Sequence, residues 1–390
     1  MKVLIVTETL YEGGTELFVL RLARALQNEG VFVQVVSLNK RFENKEMTSG
    51  FDDVNIKRLS LSFYRIWELL DRVLLKLKID FSFRYYFQAK QLKRIAGNFD
   101  IVHTHYIQVD HLVSKIKKYF LFRHIVTVHG DYSAQYDQHQ KGALRFWLRL
   151  DQKMKELSER VDHWVVVSDE QLSFLKEKMK IPAAAVSKIY NGYPVVQQDL
   201  SVAKAADNIF TIGMVGRGVE QKGWQLLIDA FLKLPDNCRL LLVGGGAYLE
   251  SLKHMYRANE RIVFAGFQSD PVSWMRQMDV FALPTLFPFE SLPTVIIEAL
   301  SCGLPVVATD VGEIENMIKD ESTGEEAGYV IEFDGKNLNS DRLYEKLKFM
   351  YDNPNKVHKF RQVALGAFKK FEMEKCVSAY IILYNKILSD

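Results

Sequence analysis

The sequence predicts an α/β protein with two doubly wound, Rossmann-like domains. Short apolar runs alternate with helical patterns along the chain, which is typical of βαβ units that build a parallel sheet. The chain has 390 residues, which is more than one compact α/β core of typical size contains. The alternation stops over residues 199–207, which lack periodicity and are rich in Ala, Ser and Asp, and it starts again at Ile209.

We therefore expect a first domain over residues 1–198, a linker over residues 199–207 and a second domain over residues 208–374. The apolar runs predict strands at residues 3–7, 31–38, 101–105, 125–129, 164–168, 186–190, 209–215, 240–243, 262–264, 280–283 and 305–309. Amphipathic patterns predict a long helix over residues 143–160 and a last helix over residues 375–388.

The composition, with 48% hydrophobic and 25% charged residues, indicates a soluble globular protein. The cysteines (Cys238, Cys302 and Cys376) are far apart and form no Cys-x-x-Cys pair, which argues against a zinc site or a disulfide framework. The apolar run at the N-terminus is too short for a signal peptide, and no uncharged apolar segment approaches the roughly 18 residues that span a bilayer. We expect a cytoplasmic protein whose contact with a membrane would be peripheral.

Charge is distributed unevenly between the two halves of the chain. Residues 1–200 have a net charge of +7, whereas residues 201–390 have −4. This asymmetry favours an anionic partner for the first half, although a solvated basic surface explains it equally simply. We predict no nucleic-acid partner.

The segment from Glu290 to Glu298 is the most informative part of the sequence. A Pro-rich loop follows the strand at residues 280–283, a helix is predicted over residues 294–302, and Gly303 precedes the next strand. Such a loop lies at the carboxyl edge of a parallel sheet, where ligands bind, and the helix start offers N–H groups that suit a phosphate. Glu290 and Glu298 can accept hydrogen bonds from hydroxyls on either side of a diphosphate, or can be solvated residues of an ordinary βαβ unit.

This Glu-x7-Glu pattern, with the tail Cys-Gly-Leu-Pro-Val-Val-Ala-Thr, resembles glycosyltransferase family 4. The resemblance implies the GT-B fold, in which two Rossmann-like domains face each other and the active site lies in the interdomain cleft. It assigns Glu290 to the donor sugar and Glu298 to the nucleotide ribose, and it adds Leu292, Thr294 and Val295 to the donor site. It also implies that residues 375–390 return to complete the first domain. The match covers nearly the whole chain and is strongest over residues 209–310.

A basic, glycine-flanked loop follows the strand at residues 209–215. Gly216-Arg217 and Lys222-Gly223 place an Arg and a Lys where they can converge on one diphosphate. In the family that this loop resembles, the matching pair neutralises the leaving diphosphate, which makes Arg217 and Lys222 catalytic and Gly216 donor-binding. The alternative is a solvated basic loop.

Two other glycine-containing turns match the family. Gly13 and Gly14 lie where the family's N-terminal loop faces the donor phosphates, and Thr15 and Glu16 follow on the acceptor side; a plain tight turn is the alternative. Gly266 precedes Phe267, which is expected to pack on the nucleobase or in the core. The glycines at 244–246 lack the spacing of a dinucleotide fingerprint and the acidic residue that the family often has there.

Histidines fall at the predicted strand ends. The resemblance places His129 near the primary hydroxyl of the donor sugar as a catalytic residue, and His105 is an acceptor-side candidate. His103 and His105 form a His-x-His pair, but no Asp-x-Asp motif or third ligand accompanies it, so we predict no metal. Ser168 and Asn191-Gly192 match family positions that we interpret as scaffold. Glu313 replaces a Gly of the family pattern, which makes the local contact to the donor sugar uncertain.

Together these features predict a metal-independent, retaining hexosyltransferase. Its donor would be a nucleoside diphosphate sugar, most simply a UDP-sugar, with no other cofactor. Its acceptor would be the hydroxyl of a glycan or of a lipid-linked sugar, in the biosynthesis of a bacterial lipopolysaccharide, O-antigen, capsule or exopolysaccharide. Two alternatives stay open: a nucleotide-sugar 2-epimerase of the same architecture, and a catalytically inactive partner protein.

Residues 57–94 predict contact with an anionic membrane surface. They contain ten Lys and Arg against three acids, and apolar residues recur at helical spacing from Phe63 to Leu77. A basic amphipathic helix of this kind can lie among lipid headgroups at the inner face of the cytoplasmic membrane. A second contact is expected at Lys115, Lys117 and Lys118 with residues 119–122. The alternative is that the apolar stripe packs on the first sheet.

Overall fold

The computed structural model describes residues 1–11, 13–130, 149–195, 209–287, 290–335 and 338–390. Within these residues the chain forms two compact units. One comprises Met1–Pro194 and Met373–Asp390, and the other comprises Val195–Glu372. The predicted linker at residues 199–207 and residues 143–148 of the predicted long helix lie outside the described residues.

The first unit contains a seven-stranded parallel sheet. Its strands are β1 (Lys2–Thr7), β2 (Phe32–Ser37), β3 (Ile56–Arg58), β4 (Ile101–Thr104), β5 (Arg123–Val128), β6 (His163–Val166) and β7 (Val186–Lys188). Their order across the sheet is β3-β2-β1-β4-β5-β6-β7. The order therefore reverses between β1 and β4, which pair in parallel with Ile5 opposite His103. In an open α/β sheet, the connections that follow two such strands start side by side and then run in opposite directions, and ligands bind in the crevice at this point.

Helices connect these strands and cover the sheet. They are α1 (Gly14–Asn28), α2 (Lys45–Ser49), α3 (Tyr64–Lys76), α4 (Phe83–Ala96), α5 (Ile107–Lys117), α6 (Leu150–Arg160) and α7 (Asp169–Ser173), which continues as a π-helical turn over Phe174–Lys178. A 3-10 turn over Ala183–Ala185 precedes β7. The predicted strands at residues 3–7, 31–38, 101–105, 125–129, 164–168 and 186–190 are all present, with ends shifted by at most two residues.

The second unit contains a six-stranded parallel sheet. Its strands are β8 (Phe210–Val215), β9 (Cys238–Val243), β10 (Ile262–Gly266), β11 (Val280–Leu283), β12 (Val306–Thr309) and β13 (Gly328–Ile331), in the order β10-β9-β8-β11-β12-β13. Its helices are α8 (Trp224–Phe231), α9 (Ala247–Met255), α10 (Pro271–Met275), α11 (Thr294–Ser301), α12 (Ile314–Ile318), α13 (Ser340–Asp352) and α14 (Pro354–Phe368). A 3-10 turn over Glu220–Lys222 precedes α8, and another over Lys369–Phe371 follows α14. Here the strand order reverses between β8 and β11, so the loops after these two strands start side by side.

The last helix, α15 (Met373–Ser389), packs in the core of the first unit. Its apolar face is buried together with residues of β1 and α1. Tyr380 and Tyr384 are fully buried, and the Tyr380 hydroxyl is 2.9 Å from Thr127 Oγ1 on β5. Both tyrosine rings are buried and both hydroxyls have a hydrogen-bond partner on β4 or β5. These contacts anchor the C-terminal helix to strands that lie more than 250 residues earlier in the chain.

We predict that Tyr380→Ala destabilises the first unit by about 3–5 kcal/mol, the usual cost of truncating a large buried aromatic side chain. Ile382→Ala on the same helix is the control, because Ile382 is 69% exposed and its truncation should change stability by less than about 0.5 kcal/mol. Hydrogen exchange of peptides from β1 and β4, measured across a urea titration, gives both values. Equal effects of the two substitutions would mean that α15 does not belong to this core.

Candidate active site

Two glycine-rich loops of the second unit lie backbone against backbone. One follows β8 and includes Gly216 and Gly218, and the other follows β9 and comprises residues 244–246. The Gly218 N–H donates to the carbonyl oxygen of Gly245 at 2.8 Å. A Cβ at Gly244 would lie 2.0 Å from the Gly216 carbonyl oxygen, so only glycine fits there. The three consecutive glycines thus have a packing role, which is to let the loop after β8 lie against β9.

Lys222 and Glu290 meet where the strand order of the second sheet reverses. Lys222 ends the 3-10 turn after β8, and Glu290 lies in the loop after β11. Lys222 Nζ donates a hydrogen bond to Glu290 Oε2, and the two side chains are only 10% and 12% exposed. Thr285 Oγ1 donates to the same oxygen at 3.3 Å. Glu290 Oε1 makes no hydrogen bond with the described residues, so one oxygen of this carboxylate remains available to a ligand.

The start of α11 lies directly after the Glu290 loop. No side chain caps this helix, and its first residues, Thr294 and Val295, are half-buried, whereas Leu292 just before it is buried. Uncapped N–H groups and the positive end of the helix dipole favour an anion at this position. Glu298, one turn further, is buried. The carboxylates of the Glu-x7-Glu pattern therefore lie on either side of an uncapped helix start, whose binding of an anion stays a prediction.

The loop after β12 holds the Glu290 loop from the other side. Gly312 has φ +61°, and a Cβ there would lie 2.1 Å from the Glu290 carbonyl oxygen. The Glu313 N–H donates to the Ser291 carbonyl oxygen at 2.9 Å. Glu313 itself has φ −93°, which any residue adopts, and its side chain is buried and accepts a hydrogen bond from Asn316 Nδ2 at 3.1 Å. The backbone at this position therefore does not require the glycine of the family pattern.

Arg217 and Phe267 are exposed residues on the loops after β8 and β10. The Arg217 side chain forms no ion pair or hydrogen bond with the described residues, so its convergence with Lys222 on a diphosphate stays a prediction. Phe267 is 66% exposed, so the alternative interpretation of Phe267 as a core residue is wrong. Its contact with a nucleobase stays a prediction.

The first unit has its own set of polar residues where its strand order reverses. Gly13 precedes α1, and Glu16 in the first turn of α1 is buried although it carries a carboxylate. The Tyr106 hydroxyl, in the loop after β4, lies close to the side chains of Glu16 and Thr15. Burial and the neighbouring Glu16 carboxylate raise the pKa of the Tyr106 hydroxyl well above its usual range. The predicted residues Gly13, Gly14, Thr15 and Glu16 thus lie together, beside a tyrosine that had no predicted role.

Glu8, like Tyr106, has no role predicted from the sequence, and its carboxylate lies near Glu16 and Tyr106. Glu8 directly follows β1, and its carboxylate forms no hydrogen bond with the described residues. Burial raises its pKa above the ordinary glutamate value, an effect that the positive charge of Arg84 only partly offsets and that the charge of Glu16 increases. The position of Glu8 in the sequence does indicate a site residue, since Glu8 is the first charged residue after an apolar strand, at the carboxyl edge of a parallel sheet.

His105 and His129 follow the neighbouring strands β4 and β5 and contact each other. His105 Nδ1 lies 2.8 Å from His129 Nε2, and Asn191 Nδ2 lies 3.4 Å from His129 Nδ1. Burial lowers the pKa of His129 to about 3, so its ring is neutral at neutral pH. Both ring nitrogens of His129 already have partners. A sugar hydroxyl can therefore bind His129 only by replacing one of them, and the long contact from Asn191 is the weaker one.

His103, the first member of the His-x-His pair, belongs to the core. Its Nδ1 lies 2.8 Å from the Tyr384 hydroxyl and its Nε2 lies 2.7 Å from Thr127 Oγ1. Within the part of the chain that the structure describes, no group of three or more His, Cys, Asp or Glu side chains is arranged to hold a metal ion. Ser168 caps α7 by accepting a hydrogen bond from the Gln171 N–H at 3.2 Å, which is a structural role.

Two family models match the chain and together span most of it. Residues 12–196 match the model described as "Glycosyltransferase Family 4", and residues 209–353 match the model described as "Glycosyl transferases group 1". The boundary between the two matches falls near the boundary between the two compact units at residue 195.

Individual proteins are similar to the chain in sequence or in fold. An uncharacterized glycosyltransferase of Methanocaldococcus jannaschii is 23% identical over 343 residues, 80% of each chain. An Escherichia coli enzyme named UDP-Gal:alpha-D-GlcNAc-diphosphoundecaprenol alpha-1,3-galactosyltransferase is 29% identical over 126 residues, 30% of this chain and 32% of the relative. The crystal structure of Anabaena HepE in complex with UDP and glucose is similar over 99% of both chains, with 18% identity and a TM-score of 0.76.

We predict that Glu8→Gln stabilises the protein at neutral pH. The pKa of Glu8 is higher in the folded chain than its ordinary value. Protonated Glu8 therefore favours the folded state. This contribution to stability is complete below the ordinary glutamate pKa and is lost as the pH rises through the higher pKa of the folded chain. Replacing the carboxyl with a neutral amide removes this loss. Melting temperatures of both proteins between about pH 4 and about pH 8 should therefore differ most at neutral pH and converge in acid.

Glu29→Gln, a change at an exposed acid after α1, controls for the loss of one negative charge. A Glu8→Gln protein that is less stable than the unsubstituted chain at neutral pH would contradict this assignment of Glu8 as an uncompensated carboxylate.

Proposed function

From the premise that the chain belongs to glycosyltransferase family 4, with the GT-B fold, we propose that it transfers a hexose from a UDP-sugar to an acceptor hydroxyl with retention of anomeric configuration. The observation that carries the proposal is the buried pair of Lys222 and Glu290 beside the uncapped start of α11. The reaction breaks the bond between the anomeric carbon and a phosphate oxygen. It therefore requires positive electrostatics at the departing diphosphate and acceptors for the hydroxyls of the sugar.

Three groups stabilise the departing diphosphate in this proposal. The N–H groups of Thr294 and Val295 point from the start of α11, Lys222 supplies a positive charge that Glu290 holds in place, and Arg217 supplies a planar fork from the loop after β8. Donors that are fixed before the reaction need no reorganisation when negative charge develops, which makes them effective in the transition state. These groups replace a metal ion, so transfer is metal-independent.

The carboxylates bind the neutral parts of the donor. Glu290 Oε1 accepts a hydrogen bond from a hydroxyl of the sugar, and Glu298 accepts one from the ribose. Phe267 packs against the base, and Gly13 and Gly14 lie by the donor phosphates. His129, as a neutral ring, hydrogen bonds to the primary hydroxyl of the sugar. On the acceptor side, Thr15, Glu16 and His105 contact the incoming glycan, and Glu8 extends this set.

Two relatives support the choice of substrates. The structure of HepE holds UDP and glucose, which supports a UDP-hexose as donor. The name of the Escherichia coli relative specifies a UDP-sugar donor and a sugar linked to diphosphoundecaprenol as acceptor. We extend both to this chain and propose a glycan or lipid-linked acceptor in the biosynthesis of a bacterial cell-surface polysaccharide, on the cytoplasmic side of the membrane.

A thermal-shift series with UDP, UDP-glucose, GDP-mannose and ADP-glucose tests the donor class. A ligand present at about a hundred times its dissociation constant should stabilise the folded chain by about 2.7 kcal/mol, and only the UDP compounds should do so. Incubation with UDP-glucose alone should release UDP slowly by transfer to water, with and without excess EDTA. Release of an isomerised UDP-sugar would indicate an epimerase, and the absence of both binding and release would indicate an inactive partner protein.

We predict that Arg217→Ala and Lys222→Met both lower the rate of UDP release, by about a hundredfold to a thousandfold, because each removes a fixed charge at the developing anion. Their effects on stability should differ. Arg217 is exposed, so Arg217→Ala should leave the melting temperature unchanged. Lys222→Met leaves Glu290 buried without its partner and should cost about 3–5 kcal/mol.

The double variant Lys222→Met/Glu290→Gln is the matched control, since it removes both charges and should recover most of the stability but none of the rate. A rate that returns together with stability would show that Lys222 acts only in folding.

A further inference from the structure

The helical hairpin of α3 and α4 carries an apolar surface that no other part of the described chain covers. Ile66, Leu69, Val73 and Leu77 are 53%, 63%, 46% and 63% exposed. The interpretation that the stripe on α3 packs on the first sheet is therefore wrong for these residues. Phe63, Leu70, Ile79 and Phe81 extend the same exposed set along the helix and into the turn that follows. We call these eight residues the α3 face.

The α3 face has one edge of positive charge. At 100° per residue, the apolar side chains of α3 span about a third of the helix circumference, and Arg65, Arg72 and Lys76 lie together immediately beside them. All three are exposed, as is Lys78 in the turn. Arg72 pairs with Glu68 at 3.3 Å, whereas Arg65, Lys76 and Lys78 form no ion pair with the described residues. An exposed apolar strip with a basic edge is the pattern of a helix that lies in a bilayer interface.

Two of the three acids of the hairpin, Asp71 and Asp80, are engaged away from this edge, and the third, Glu68, neutralises only Arg72. Asp71 is buried, and its carboxylate accepts hydrogen bonds from Ser82 Oγ at 2.6 Å, the Phe83 N–H at 2.8 Å and Arg84 Nε at 2.9 Å. Asp80 pairs with Lys153 of α6 at 2.8 Å. The charge that the hairpin presents to solvent beside the α3 face is therefore positive.

The hairpin is also held in a defined shape. The Asp71 carboxylate joins α3 to the start of α4, and Arg84 donates a second hydrogen bond to the Tyr64 hydroxyl at 2.8 Å. Beneath α3, the Trp67 ring stacks on Phe83 with centroids 5.5 Å apart and contacts Phe87 at 4.8 Å. These contacts fix the turn of α3 that directs its apolar side chains to solvent. An exposed apolar patch on a rigid support normally marks a binding surface.

We propose that the α3 face docks on a lipid bilayer that carries anionic headgroups. Its apolar side chains would enter the boundary between headgroups and acyl chains, while Arg65, Arg72, Lys76 and Lys78 would contact lipid phosphates. A second copy of the chain fits less well. A two-fold contact through the same surface would place the basic edges of both copies at one apolar interface, and the acid of this surface, Glu68, already pairs with Arg72.

Docking would orient the acceptor side of the first unit. Arg84, which holds the hairpin together, lies close enough to Glu8 to lower its pKa, so the hairpin also borders the polar residues after β1. The second predicted contact is weaker, because Lys117 is engaged by the Asp162 carboxylate and the Arg160 carbonyl oxygen, although Leu121 nearby is exposed. The proposal does not rest on the proposed reaction, and its test needs no activity measurement.

Co-sedimentation of the full chain with vesicles tests the proposal. The chain should pellet with vesicles that contain phosphatidylglycerol, remain in the supernatant with phosphatidylcholine alone at physiological salt, and dissociate as salt rises further. Charge reversal of Arg65, Lys76 and Lys78 to Glu should weaken binding about a hundredfold or more, at about fivefold for each basic residue removed from an anionic surface. Ile66→Ser/Val73→Ser/Leu77→Ser should abolish binding even with all basic residues present.

The matched control is Ile382→Ser, since Ile382 is more exposed than any of these three residues but lies on α15; this variant should bind as the unsubstituted chain does. Circular dichroism and melting temperature should be unchanged in all variants, because every substituted side chain is exposed. Two results would overturn the proposal: equal recovery in the supernatant with both vesicle types at low salt, or a dimer in light scattering that the Ile66/Val73/Leu77 variant converts to a monomer without any effect on vesicle binding.

Discussion

The reversal of strand order in each parallel sheet is the constraint on which the candidate active site depends. In the second unit, β8 and β11 are neighbours although the loops that follow them are far apart in sequence, and Lys222 meets Glu290 across 68 residues for this reason. The glycines after β8, β9 and β12 then let these loops pack closely enough to fix the pair beside α11. In the first unit the same reversal, between β1 and β4, brings Glu8 and Glu16 to Tyr106. In both units, therefore, strand order determines which of the candidate residues lie close together.

The two units handle buried charge in opposite ways. The carboxylate of Glu290 is compensated by Lys222 and Thr285, so most of its charge is neutralised and one oxygen remains available. The carboxylate of Glu8 has no hydrogen-bond partner among the described residues, and only the more distant Arg84 partly offsets its burial. An uncompensated carboxylate lowers stability, and at the carboxyl edge of a parallel sheet it is a candidate for contact with a ligand. This contrast supports a role for Glu290 in holding the donor and for Glu8 in meeting an acceptor.

Periodicity in the sequence was enough to predict every central strand and the doubly wound class, because buried parallel strands are nearly continuous apolar runs. It missed β3 and β13, which are short strands at the edges of the two sheets and carry fewer buried apolar residues. Motif resemblance identified Lys222 and Glu290 separately, but their direct contact depends on strand order, which periodicity does not encode. The exposure of Phe267 and of the α3 face likewise depends on tertiary packing. The sequence alone therefore allows either of these to be a binding surface or a part of the core. Glu8 could have been found, since its position directly after β1 was visible in the sequence.

The most direct test of this account is a crystal structure of the chain soaked with UDP. We predict that the diphosphate lies at the start of α11, with its oxygens within hydrogen-bonding distance of the Thr294 and Val295 N–H groups and of Lys222 Nζ, and that the ribose contacts Glu298. The Lys222 and Glu290 side chains should stay together in that structure. A nucleotide bound away from the loops after β8 and β11, or bound there with Lys222 turned away from the phosphates, would show that Lys222 and the start of α11 do not form the donor site.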